Sequence, residues 1–162
     1  MKRTTKYYEL RASAITHSIC YATLSTVDAA GNPWNTPVSA VYDDNFNVYW
    51  FSDRESQHSR NVRGNGKVYI VIYNSTWPEG TGGQGLYLQS EACEVRDLKE
   101  IRKACRLKDP DRDKPERFMG DNIRRVYKAS PIRMWINEIE MDGSRFIRDY
   151  RVEVALPKKR LS

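Results

Sequence analysis

Between residues 5 and 17, Tyr8, Ala12 and Ile15 recur at helical spacing, and the stretch predicts an amphipathic helix. The period then falls to two. Cys20, Ala22, Leu24 and Thr26 alternate with Tyr21, Thr23 and Ser25, which predicts a strand over 20–26 that ends in the turn residues 28–33. Further strands are predicted over 34–42 and 47–52, with Asp43-Asp44-Asn45 turning the chain between them. A short helix over 55–63 is stopped by Gly64-Asn65-Gly66, which supplies the positive φ that a helix end takes up. The run 68–73 is apolar on both faces, with Val68, Ile70 and Ile72 against Tyr69, Val71 and Tyr73. Such a strand needs cover on both sides, and a partner subunit could supply the second.

The segment 75–84 holds Pro78, Gly80, Gly82 and Gly83 and reads as a mobile loop ahead of a strand over 85–95. Asp97 and Glu100 are spaced as a capping box, and Leu98, Ile101 and Cys105 mark the apolar face of the next helix. Residues 108–114 are charged and turn-like. Strands at 132–138 and 145–154 follow, joined by a turn at 141–143, with Phe146, Tyr150, Val152 and Val154 on one face of the last. Many short strands with tight turns and few helices predict a mainly β (α+β) fold. Six or seven antiparallel strands can close into a barrel, which removes the exposed sheet edges. With no repeat, low-complexity stretch or linker, residues 1–162 are expected to form one domain, frayed at 1–4 and 157–162.

Composition narrows the function. At 40% apolar and 30% charged, the 162-residue chain is an ordinary globular sequence, and no apolar run approaches the ~20 residues of a membrane span. The basic start, Met1-Lys2-Arg3, leads into no signal-peptide pattern, and three widely spaced cysteines read as reduced thiols, so a cytoplasmic protein is expected. His17 and His58 form no ligand-spaced motif, which argues against a metal site. The net charge of +6 admits a phosphorylated small molecule or nucleic acid, although Lys and Arg are interleaved with Asp and Glu as on a solvated surface.

No Ser-His-Asp arrangement, P-loop or dinucleotide fingerprint is present, and no catalytic residue can be named. An enzyme without its own nucleophile or metal works through a cofactor. The best cofactor segment is 51–61, where a strand end passes into a helix start: backbone N–H groups and the helix dipole there suit a phosphate, with Ser52, Ser56, Gln57 and His58 as side-chain donors. The alternative is that Ser52 and Asp53 only cap the helix while His58 is solvated.

The runs Ala22-Thr23-Leu24-Ser25-Thr26-Val27-Asp28 and Gly31-Asn32-Pro33-Trp34-Asn35-Thr36-Pro37-Val38 resemble the opening of the pyridoxamine 5′-phosphate oxidase-like split barrels, which bind flavin mononucleotide (FMN). Val48-Tyr49-Trp50-Phe51-Ser52, Ser56-Gln57-His58, Asn61-Val62-Arg63, 85–92 and the tail 135–154 extend the resemblance over about 8–155, weakest at 97–130. It implies a split β-barrel homodimer with FMN between the subunits. The flavin phosphate would fall to Ser52, Ser56, Gln57 and His58, and the ring and ribityl chain to Thr36, Pro37, Val38 and Ser39, with Phe51 behind the ring. Gln84 would add a polar contact, Trp135 would come from the other subunit (ordinary barrel core being its alternative), and Arg145 would reach the substrate.

Thr36, Val41, Gln57 and His58 stand where the oxidase itself carries cationic side chains, so a vitamin B6 phosphate is not the expected substrate. Planar, weakly charged acceptors such as quinones are expected instead. The resulting expectation is an FMN-dependent oxidoreductase of unknown substrate. A flavin- or haem-binding carrier or sensor, or a deazaflavin-dependent reductase, is the alternative, and a barrel binding single-stranded nucleic acid is the remote one.

Overall fold

The computed structural model describes residues 3–76, 85–111 and 113–157. Three helices, α1 (Thr5–Ser18), α2 (Gln57–Asn65) and α3 (Leu98–Lys108), accompany seven antiparallel strands. These are β1 (Tyr21–Val27), β2 (Pro33–Tyr42), β3 (Val48–Asp53), β4 (Lys67–Tyr73), β5 (Gly85–Glu94), β6 (Arg124–Asp142) and β7 (Arg145–Val154). The sheet runs β3-β2-β1-β4-β5-β6-β7, and β6 also pairs with β3. That second pairing closes six strands into a barrel. β7 continues from the far half of β6 as an antiparallel ribbon.

The alternation read from the sequence sets the barrel interior. Ala22, Leu24, Val38, Ala40, Val48, Trp50, Ile70, Ile72, Leu86 and Leu88 are buried together, and Trp50 stacks on Tyr127 inside. α1 closes this core with Ala12 and Ile15, and Tyr8 packs beside them. A second apolar cluster lies on the other side of β3, where Tyr49 and Val126 meet Ile101, Ala104 and Cys105 of α3. Leu98, expected on the apolar face of α3, is instead exposed, because Asp97 at the N-cap sets the first turn at the rim.

β6 begins at Arg124, eight residues before the predicted strand. Pro131 concealed the first half: it interrupts the strand pattern and supplies no N–H. The fold accommodates it with a bulge, since Gln89 pairs with Arg133 but Ser90 with Pro131, leaving Ile132 as the extra residue. α2 ends at Gly66 (φ +67°), where a Cβ would come 2.9 Å from the Ala92 carbonyl. Within 1–4, the segment expected to fray, Thr4 caps α1 and Arg3 pairs with Glu138. The tail 158–162 and most of the 75–84 loop lie outside the described residues. Among the described residues no helix is long and apolar enough to cross a membrane.

Candidate functional site

The chain leaves β3 at Asp53, turns through Arg54 and Glu55, and enters α2. Asp53 uses its carboxylate on the Glu55 N–H (2.7 Å) and its carbonyl on the Ser56 hydroxyl (2.9 Å), so it shapes the turn. Ser56 occupies the N-cap but makes no side-chain cap bond, which leaves the first helical N–H groups uncapped. His58 is only 8% exposed and faces back toward β3. Its Nε2 lies 2.9 Å from Ser52 Oγ and 3.1 Å from Ser56 Oγ, and Ser56 Oγ lies 2.8 Å from Ser59 Oγ. A solvated His58 is therefore ruled out. Burial, with no carboxylate beside it, holds the imidazole below its ordinary pKa, so the ring is neutral near pH 7. Uncapped N–H groups, two hydroxyls and a neutral imidazole meet at the positive end of a nine-residue helix. That donor set suits an anion. Gln57 is turned along the helix instead, donating to Asn61 (2.8 Å) and accepting from Arg60 (2.6 Å).

β2 offers a backbone edge beside this cluster. It pairs with β1 over 33–39 but with β3 only over 40–42. Among the described residues, the stretch Thr36–Pro37–Val38–Ser39 thus keeps one edge outside any strand ladder. Continuing the β2–β3 register brings Ser39 level with Phe51 and Val38 level with Ser52. Pleating then divides the predicted residues between two faces. Val38 lies in the core, and Thr36 accepts a hydrogen bond from the Trp34 indole (2.8 Å). Ser39 and Phe51 face the opposite side and line a cavity of about 670 Å³ under α3.

That cavity contains groups the sequence did not flag. Phe118 packs on Phe51 with ring centroids 4.8 Å apart. Lys108 donates to Ser39 Oγ (2.5 Å), and Lys114, Arg117 and Arg124 line the walls with Asp109 and Asp111. These residues fall in 97–130, where the strand pattern is interrupted; the charge cluster 108–117 was the one available signal.

The remaining predicted residues lie elsewhere. Trp135 is half-buried on the outer sheet face, not in the barrel core. It stacks with Tyr69 (6.4 Å) and lies under the Arg133 guanidinium (4.7 Å). Arg145 is exposed near the tip of the β6–β7 ribbon, away from the other predicted residues within this chain. Gln84 lies outside the described residues.

A six-stranded closed barrel with a ribbon extension defines a split-barrel protein, and the uncapped helix end beside an open strand edge is its candidate site. Residues 11–130 match the family model of pyridoxamine 5′-phosphate oxidase, and the chain belongs to that family. No curated protein matches the sequence. Among solved structures, a candidate pyridoxamine 5′-phosphate oxidase from Listeria innocua is similar at TM-score 0.62 and 20% identity, covering 80% of this chain and 97% of that one. The haem storage protein HutZ of Vibrio cholerae is similar at 0.64 and 17%, covering 76% and 89%. A haem-binding protein of Mycobacterium smegmatis gives 0.69 and 15%, covering 94% of this chain and 59% of that one. At these identities the likeness is one of fold.

Proposed function

We propose that the chain is a homodimeric FMN-binding oxidoreductase acting on a small molecule. The observation that carries this reading is the cluster of half-buried Ser52 and Ser56 with buried His58 at an uncapped helix end, beside the edge of Thr36–Ser39 that joins no strand ladder among the described residues. A phosphate needs the first and a long polar ribityl chain with its ring system needs the second. Bound FMN would supply hydride and electron exchange. Ser52, Ser56, His58 and the α2 N–H groups would hold its phosphate, and the β2 edge would orient its polar chain. The outer face of Tyr69, Val71, Tyr87 and Trp135 is the surface a second subunit would cover.

Replacing Ser52 and His58 together with Ala is expected to weaken FMN binding strongly and riboflavin binding little, because only FMN carries the phosphate. Each lost hydrogen bond to that anion is worth about 1–3 kcal/mol. Equal losses for both ligands, measured by fluorescence titration, would remove the phosphate from this site.

A second reading, a haem- or flavin-holding carrier without turnover, draws on the fold likeness to haem-binding proteins. The visible spectrum and mass of the group released on denaturation separate flavin, deazaflavin and haem. Steady-state oxidation of a reduced nicotinamide by the holoprotein separates enzyme from carrier.

A further inference from the structure

We propose that the cavity under α3 takes a planar aromatic carboxylate, the substrate class of the flavoprotein proposed above, and the inference rests on that reading for its setting. The cavity is large enough for a drug-sized molecule at about 670 Å³. Its apolar wall is the tilted Phe51–Phe118 pair, which suits the flat face of a ring. Around it stand Lys108, Lys114, Arg117 and Arg124. Lys108 is held by a neutral hydroxyl and Arg124 lies over the Phe118 ring at 5.8 Å. Among the described residues none of the four is within ion-pair distance of a carboxylate, whereas the neighbouring Arg106 is taken up by Asp113. These cations run counter to the weakly charged partner expected from the substitutions in β2 and α2.

The backbone decides between carboxylate and phosphate. The end of α3 that reaches the cavity is its C-terminus, capped at Asp109, so the helix presents carbonyls there. The 3₁₀ turn Pro115–Phe118 opens with a proline, which has no N–H to offer. Recognition thus falls to side-chain cations dispersed over three chain segments, with no cradle of N–H groups for a tetrahedral anion. Asp111 in the same wall opposes a dianion. A flat ring bearing one carboxylate satisfies the aromatic wall, the cations and this acidic residue together.

The test titrates 2-naphthoate, 2-naphthylmethanol and 2-naphthyl phosphate into the purified holoprotein by calorimetry. Naphthoate is expected to bind at least about tenfold tighter than the alcohol and tighter than the phosphate. In K114Q/R117Q naphthoate should weaken about tenfold and the alcohol less than about twofold. Both side chains are exposed, and an unchanged melting curve would confirm an intact fold. Equal binding of naphthoate and alcohol, preference for the phosphate, an unchanged naphthoate affinity in the double variant, or one-for-one displacement of bound FMN by naphthoate would each overturn the assignment. A preparation without flavin that still binds naphthoate with this selectivity would uphold the cavity and reject the flavin reading separately.

Discussion

His58 is neutral because it is buried, and that neutrality ties the candidate phosphate site to pH. In the free protein its folded pKa lies below the ordinary 6.5. A group depressed in this way contributes stability that is fully present above 6.5 and is lost as pH falls from there through the folded value. A phosphate seated at Ser52 and Ser56 would pull the pKa the other way by favouring the imidazolium. FMN binding should therefore take up a proton and tighten as pH falls through the pKa of the bound form toward that of the free form, with riboflavin binding nearly flat. The His58 ring resonance, followed by NMR with and without FMN, should move its midpoint upward on binding. A midpoint that stays put would mean that the anion is not beside this ring.

At the scale of elements, α3 is fastened by charge as much as by its apolar face. Burial acts to raise both Asp43 and Glu100. The Lys103 ammonium (2.6 Å) and Asn47 hold Asp43 below the usual carboxylate range, and Lys128 (2.6 Å) with the Tyr49 hydroxyl (2.6 Å) does the same for Glu100. Their folded pKa values being lowered, the stability they add is present above the ordinary carboxylate pKa and lost as pH falls through the folded values. Glu100→Gln should flatten that acid limb and loosen α3 while leaving the barrel folded, a difference that hydrogen exchange over 98–108 would register.

α1 is tied down differently. Glu138, 5% exposed, receives both Arg3 and Arg11, and Arg11 also donates to the Asn137 carbonyl (3.3 Å). Glu138→Ala leaves a mostly buried guanidinium unpaired, at a cost of about 3–5 kcal/mol. The expected result is a large fall in the denaturant midpoint; a change of a few tenths of a kcal/mol would show that the clasp adds nothing.

Across the whole molecule, one row of the sheet runs Thr23–Val71–Tyr87–Trp135–Glu153 over five strands, all on the outer face. Tyr69 and Tyr73 flank Val71 on β4, and Arg151 lies 4.1 Å over the Tyr87 ring. A half-exposed aromatic face of this breadth suits an isologous contact, in which the same patch serves both subunits. Val71→Lys should convert a dimer into a folded monomer and lower FMN affinity together, read by light scattering and by flavin titration on the same sample. A wild-type protein already monomeric at micromolar concentration would refute the dimer.

Local order was readable wherever one face of an element met the core. The alternation in Cys20–Thr26 and Val68–Tyr73, the 3.6-residue spacing of Tyr8, Ala12 and Ile15, and the glycine that ends α2 each follow from a rule acting within a few residues. The same locality marks the helix end at Ser52–His58 as a candidate phosphate site. Tertiary structure alone decided how those pieces combine. Pro131 hid the strand that closes the barrel, because its missing N–H is accommodated by a bulge at Ile132 of β6, opposite Gln89 and Ser90 of β5. His58 became a buried, neutral ring because β3 folds back behind it. Ser52 and Phe51, neighbours in sequence, were sent to opposite faces by the pleat, and Phe51 met Phe118 and the cations of 108–124 across a gap of some 60 residues. Patterns of adjacent residues fix which face is apolar; which distant segment covers that face is set by chain closure, and the charge of the cavity followed from that.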